Sequence, residues 1–367
     1  MRRWHFHFGG LLVLLLVAVF ILWPDKTEDA FSGKLPGGIA AHLLEPTANN
    51  AVAKANVGGH PYIFSFSGLG EDKNYTDIHS QAFAVSVDEQ YAVDIPPVPG
   101  GKHRLASIAV TVNNVIYVIG GYTVAEDGTE ASTPEVYAFD PGDNSYTEMA
   151  PMPVPVDDTV ALVYQARYIY LVSGWHDTGN VPDVQVYDTF EDRWFAATPY
   201  PGSPVFGHAG GIADNRFVIA DGVAVLGLDD NGRRRFGATD EVYLGTIDMD
   251  DPAVIVWEAL APHPGNPLYR MAATGIEDSK VILFAGGSDN PYNYDGIGYD
   301  GAPSQPSASV FGFDIASREW RLYGDKMFAS MDHRGLVEID GRFYILGGMT
   351  ADQEVSDAVS WFSLGGQ

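Results

Sequence analysis

Ile116-Tyr117-Val118-Ile119-Gly120-Gly121 is the stretch on which the fold turns. It comes back as Ile282-Leu283-Phe284-Ala285-Gly286-Gly287 and again as Phe343-Tyr344-Ile345-Leu346-Gly347-Gly348. Fainter copies occupy Ile63–Gly68, Ile169–Gly174 and Phe217–Gly222. The glycines closing these copies, at 68, 121, 174, 222, 287 and 348, are separated by 53, 53, 48, 65 and 61 residues. Self-similarity at such a period marks a repeated supersecondary unit that buries its apolar faces against its neighbours.

Each copy is followed by a variable loop and then an alternating strand: Ala82–Val87, Val136–Asp140, Val184–Asp188, Val242–Ile247, Val310–Asp314 and Ala358–Phe362. An aromatic comes after a short turn, as Tyr91, Tyr146, Trp194, Trp257 or Trp320. A proline-bearing stretch such as Met149-Ala150-Pro151-Met152-Pro153 closes the unit. Asn113-Asn114, Asp214-Asn215, Asp278-Ser279 and Asp340-Gly341 are turn pairs that would join the first two strands of a unit. Every unit therefore reads as four short antiparallel strands. Six such units predict an all-β, six-bladed β-propeller. The closing glycines would end the second strand where the backbone leaves the sheet at φ/ψ a side chain resists. His42-Leu43-Leu44-Glu45-Pro46 resembles the fourth-strand stretch Trp257–Pro262. Residues about 39–47 are thus expected to supply the last strand of the sixth blade and close the ring.

Composition narrows the function. The 367 residues carry 21 basic against 48 acidic side chains, a formal charge of -27. So acidic a surface repels phosphate backbones and argues against a nucleic-acid partner. There is no cysteine, which excludes thiolate catalysis, cysteine-held metals and disulfides. No H-x-x-x-H pair and no EF-hand pattern is present, and Asp229-Asp230-Asn231-Gly232 reads as a turn. No cofactor is expected.

Arg2 and Arg3 precede a stretch free of Asp, Glu, Lys and Arg from Trp4 to Pro24. Its dense apolar part, Leu11–Trp23, would span ~20 Å as a helix, short of the ~30 Å hydrocarbon core, whereas the count from Trp4 would just cross. Residues 1–24 are expected to be either a signal peptide or an uncleaved signal anchor, 25–37 a polar linker and 38–367 the propeller. Both alternatives place the propeller in the periplasm or another extracytoplasmic space. The second also ties it to the inner membrane through this segment.

These glycine-closed repeats resemble the kelch family over about residues 39–367. Within that family the chain is similar to the exported bacterial N-acetylneuraminate epimerases (mutarotases), six-bladed propellers with a signal peptide. Galactose oxidase also has kelch repeats, but its copper site needs a Tyr–Cys crosslink, which a chain without cysteine cannot form. In the mutarotases an Asn-Gly-Glu segment supplies the presumed proton acceptor, and a loop arginine follows. The matching segment here is Ala220-Asp221-Gly222-Val223-Ala224, with Val223 at the Glu position. The arginine would be among Arg233, Arg234 and Arg235, with Arg235 the candidate.

In a propeller the loops entering the inner strands share one face with the loops between second and third strands. The entering loops carry His103-Arg104, Asp157-Asp158, Phe206-Gly207-His208, Tyr269-Arg270 and Asp332-His333-Arg334. Arg104, Arg270 and Arg334 are expected to converge on an anionic carboxylate, unless they bond loop carbonyls between blades. Asn290, Tyr292 and Tyr294, in the insertion 288–308, offer the amides and aromatic faces of a sugar site. His208, Asp158 or His333 could carry the proton that anomer interconversion moves. Two readings follow. One is an exported propeller that binds an acidic sugar or glycan, as an isomerase of the epimerase or mutarotase kind. The other is a non-catalytic module that grips a protein or glycan with the same face.

Overall fold

The computed structural model describes residues 33–365; the expected signal or anchor segment, 1–24, lies outside them. Six four-stranded antiparallel sheets follow one another around a central channel, and no α-helix occurs among the described residues. The first blade runs Ala51–Val57, His60–Leu69, Ile78–Ser86 and Tyr91–Ile95. The second runs Ile108–Val112, Val115–Ile119, Val136–Asp140 and Ser145–Met149. The third runs Val160–Tyr164, Tyr168–Val172, Val184–Asp188 and Arg193–Ala196, and the fourth Ala209–Ala213, Arg216–Ala220, Val242–Ile247 and Ile255–Leu260. The fifth runs Ala272–Ile276, Val281–Ala285, Ser309–Asp314 and Glu319–Asp325.

The sixth blade has Val337–Ile339, Arg342–Leu346 and Ala358–Phe362, and its outer strand is Gly37–His42, antiparallel to Ala358–Phe362. That strand starts earlier than residue 39 and stops at 42. Beyond it Leu43 and Thr47 still donate backbone bonds to Asp357 and Ser356. Leu35, placed in the linker by its polar neighbours, is buried and donates to Asp325 O at 2.8 Å.

The repeat pattern has a physical cause in each strand. Second strands such as Val281–Ala285 are buried along their whole length because blades pack on both faces, so they read as unbroken apolar runs. The aromatic of the fourth strand ties neighbouring blades together. Trp194 Nε1 donates to Ala150 O at 2.8 Å, Trp320 Nε1 to Ala261 O at 2.9 Å and Tyr146 Oη to Pro96 O at 2.9 Å. Each acceptor lies in the proline-bearing stretch that enters the blade, so ring and proline recur together.

The closing glycines lie at φ between 87° and 136°. At Gly121 a Cβ would sit 2.6 Å from Leu105 O, so both conformation and space demand glycine. Three two-stranded ribbons rise from the second-to-third-strand connections: Tyr122–Val124 with Glu130–Ser132, Trp175–His176 with Gly179–Asn180, and Val223–Leu228 with Arg234–Ala238. Together with the insertion 288–308 they build the wall of the site.

Candidate ligand site at the propeller mouth

Just ahead of each blade's inner strand stands one residue in the left-handed region. These are Asn49, Ala106, Asp158, Gly207, Arg270 and Asp332, with φ from 53° to 69°. Backbone bonds link them around the axis: Gly207 N donates to Asp158 O and Arg270 N to Gly207 O, both at 2.8 Å. Asn and Asp tolerate this conformation, but for Ala106 and Arg270 it carries a steric cost that the ring must hold in place.

The ring's side chains form a charged cluster. Arg270 donates to Asp158 Oδ2 through Nε (3.0 Å) and Nη2 (2.7 Å), and to Asp332 Oδ1 through Nη1 (2.7 Å). Arg334 donates to Asn49 Oδ1 through Nε (2.8 Å) and Nη2 (2.6 Å), and through Nη1 to Asp158 Oδ1. The Arg270 guanidinium also lies 4.6 Å from the ring centroid of Tyr269 and 5.3 Å from that of Tyr292. Burial alone would raise the pKa of Asp158, but the guanidiniums of Arg270 and Arg334 overcome it and hold the carboxylate at about 2. At Asp332 burial prevails over the same two arginines, and its pKa is raised.

One position before the ring come Ala48, Leu105, Asp157, Phe206, Tyr269 and Met331. Each bridges the residue just after a closing glycine, as Leu105 does Tyr122 and Phe206 does Val223. Five of the six are apolar or aromatic and join one buried cluster. The third-blade member is a carboxylic acid. Asp157 is 3% exposed and bridges Trp175. Ser132 Oγ donates to its Oδ2 at 2.6 Å; its Oδ1 has no hydrogen-bond partner among the described residues. Burial pushes this carboxyl well above the usual range. Asp158 adds to the rise, against the Ser132 hydrogen bond.

Above the cluster is a pocket of about 230 Å³, with Asp157, Asp158 and Arg270 in its floor. The ribbons contribute Tyr122 and Glu130, Trp175, and Arg234 with Phe236. The long insertion reaches across the mouth from the fifth blade to the second. There Asn293 Nδ2 donates to Glu130 Oε1 at 2.7 Å, and Tyr122 Oη donates to Asn293 Oδ1 at 3.3 Å. Tyr299 stacks on Phe236, centroids 4.3 Å apart, and Phe236 packs on Trp175 at 5.8 Å. The Arg234 guanidinium lies 5.3 Å from the Trp175 ring centroid and has no ion pair among the described residues. Below the cluster the axial channel, about 360 Å³, is lined by the inner strands and by His208, His333 and Arg334.

A kelch motif matches residues 109–153, the second of these six blades. The chain is a six-bladed β-propeller that carries a kelch motif. The kelch propeller is 33% identical to Kelch-like protein 15 of Danio rerio over 258 residues, which is 68% of this chain and 40% of that protein. The chain therefore spans about 40% of the length of that relative. It also resembles the N-acetylneuraminate epimerase of Pasteurella multocida (strain Pm70), at 22% identity over 324 residues, 75% of this chain and 81% of the epimerase. The solved structure of YjhT superimposes with a TM-score of 0.67 at 16% identity, covering 87% of this chain and 96% of that one, a likeness of fold.

The kelch propeller redistributes the residues singled out in its sequence. The three arginines do not converge. Arg270 is a ring residue, Arg334 stands two places after one, and Arg104 two places before one. Arg104 turns away from the axis, buried, with Nη1 3.4 Å from Gly120 O and Nη2 3.6 Å from Glu135 Oε2. Arg270 and Arg334 do meet, but on Asp158, which leaves neither guanidinium open to an outside carboxylate.

Asp158 is held as a carboxylate by that pair, whereas burial raises the pKa of its neighbour Asp157. His208 and His333 face the channel. Both pack on a closing glycine: a Cβ on Gly222 would lie 2.7 Å from His208 Cβ, and one on Gly348 2.4 Å from His333 Cε1. His208 Nε2 donates to Val172 O at 2.8 Å, and His333 Nε2 lies 2.8 Å from Ser330 Oγ.

Tyr292 is wholly buried beneath Arg270, Asn290 donates within its own loop to Asp300 Oδ1, and Tyr294 packs on the buried apolar cluster. Their place at the pocket falls to Asn293 and Tyr299. Strand alternation directs Arg234 and Phe236 to the pocket, so Arg235 points to the other face. Val223 is buried in the bridge to Phe206 and has no proton to exchange. Aligning the six entering loops would have exposed Asp157 as the lone polar member of an apolar position.

Proposed function

We propose that the mouth pocket binds a sugar and that Asp157 carries the proton exchanged at its anomeric centre. One observation supports this above the rest: a buried carboxyl, with one oxygen unpartnered, replaces an apolar residue at the base of an aromatic-walled pocket. Aromatic faces take the C–H side of a pyranose, and Glu130 and Asn293 offer hydrogen bonds to hydroxyls. The volume suits one sugar ring.

Anomer interconversion needs only proton movement. The anomeric hydroxyl gives up its proton, the bond from the anomeric carbon to the ring oxygen breaks, and that oxygen takes a proton. The open-chain carbonyl then turns and closes with the reverse transfers. Asp157 can take or give such a proton because burial disfavours its charged form and raises its affinity for a proton. The likeness to N-acetylneuraminate epimerases fits this chemistry. The expected export segment, 1–24, would place it outside the cytoplasm.

A carboxylate-bearing sugar is the second reading, favoured by one feature, the Arg234 guanidinium without an ion pair. Saturation-transfer NMR against a panel of monosaccharides tests binding, and NMR of freshly dissolved single anomers tests exchange. Saturation of at least one sugar and faster anomer exchange are expected. No saturation of any sugar would overturn the reading and leave the protein- or glycan-binding module in its place.

A further inference from the structure

The axial cluster is electrically closed. Asp158 and Asp332 face Arg270 and Arg334, two carboxylates against two guanidiniums, all at most 3% exposed in their side chains. Whatever charge the pocket offers a ligand must come from elsewhere. Three carboxylates remain, Glu130, Asp157 and Asp177, against Arg234 alone.

Each of the three is held by a neutral donor. Asn293 Nδ2 bonds Glu130, Ser132 Oγ bonds Asp157, and Ser132 N donates to Asp177 Oδ1 at 3.1 Å. His176 Nε2 lies 3.9 Å from Asp177 Oδ2, at the rim. Ser132 thus joins two carboxyl groups without bringing a charge to either, and an ammonium beside Asp157 would itself favour the charged form that burial disfavours. The aromatic wall also accepts a cation, because Arg234 already lies over Trp175.

An added anion would meet this excess of negative charge in a desolvated place, where repulsion is strongest. A cation would relieve it. It could hydrogen-bond the open Oδ1 of Asp157 with charge assistance, roughly doubling the strength of a neutral hydrogen bond.

We infer that the ligand of this pocket is a sugar bearing a protonated amine, whose ammonium sits at Asp157 between Glu130 and Asp177. This rests on the sugar reading and adds the charge class to it. It departs from the acidic sugar suggested by the arginines in the sequence, because those arginines are already paired.

Glucosamine, glucose, N-acetylglucosamine and N-acetylneuraminate are titrated into the full chain in low-salt buffer at near-neutral pH, so that acid does not hold Asp157 neutral, and followed by calorimetry. Glucosamine is expected to bind about tenfold tighter than glucose, the scale of one charge-assisted bond over a neutral one. Acetylation of the amine should remove that gain, and salt should weaken it. Asp157→Asn should bring glucosamine down to the affinity of glucose; melting temperature serves as the control that the variant is folded. Equal binding of glucosamine and glucose, or tighter binding of N-acetylneuraminate, would overturn the amine assignment while leaving a sugar site standing. Failure of all four sugars to bind would remove both.

Discussion

Arg270 and Asp158 are buried against each other on the propeller axis, Nη2 to Oδ2 at 2.7 Å, and Asp332 holds the opposite side of the same guanidinium at 2.7 Å. The pair belongs to two blades that are not adjacent, so it ties the ring across its centre. Removing the cation would leave two buried carboxylates facing each other. Arg270→Ala is expected to cost about 3–5 kcal/mol of stability, the scale for breaking a buried pair from one side. Urea unfolding measures this. A loss below about 1 kcal/mol would mean the cluster is hydrated and not a structural tie.

Asp157 invites the opposite experiment. Its five equivalents are apolar or aromatic, so Asp157→Leu restores the pattern of the other blades. The variant should be more stable by about 1–3 kcal/mol, since a buried carboxyl with a single hydrogen bond gives way to an apolar side chain. Anomer exchange should fall to the buffer rate. Gained stability with lost activity is what a functional residue predicts, and a structural one predicts loss of both. Denaturation and NMR exchange on the same sample decide between them.

Gly207 is the ring member that admits no side chain. Its φ is +61°, and a Cβ would meet Tyr269 Cε2 at 1.9 Å. Gly207→Ala should therefore push Tyr269 off its contacts with Phe206 and Arg270 and cost about 2–4 kcal/mol. Thermal melting reads the cost, and an unshifted melting temperature would show that Tyr269 yields freely.

The blades could be read directly because each strand's burial leaves a trace in its own residues. Val281–Ala285 is apolar throughout, Trp194 and Trp320 recur with the prolines they bond past, and Gly121 sits where no Cβ fits. The site was less legible. Which arginine reaches the axis depends on a register of two residues, and Arg104 and Arg334 lie on either side of it. No local pattern separates them from Arg270. The reach of Asn293 from the fifth blade to Glu130 on the second likewise follows from loop geometry rather than from residue type. Asp157 was legible in principle, as the polar exception in an apolar column, but only once the six entering loops are aligned on their left-handed residues.

The buried histidines should make the fold sensitive to acid. An ordinary histidine titrates at 6.5, and burial lowers His79 and His208 to about 4 and His333 to about 3. The unfolded chain takes up protons that the folded chain declines, so their stabilising effect is whole above pH 6.5 and is lost as pH falls toward these values. His263 works the other way. Burial opposes its protonation, but the hydrogen bond to Asp221 at 2.8 Å prevails and raises its pKa, so its contribution is present at low pH and fades as pH rises through the raised value. Asp221, raised by burial, shares that sign. Among the histidines, three depressed against one raised leave their joint contribution falling with acid; the depressed Asp158 adds to that fall, and the raised Asp157 and Asp332 oppose it. The shift of His208 from 6.5 to about 4 is worth at most about 3–4 kcal/mol. His208→Gln keeps a donor for Val172 O and removes the titration. Its melting temperature should therefore fall less steeply than that of the parent as pH drops below 6.5. Parallel curves for the two proteins would assign the acid sensitivity to other groups.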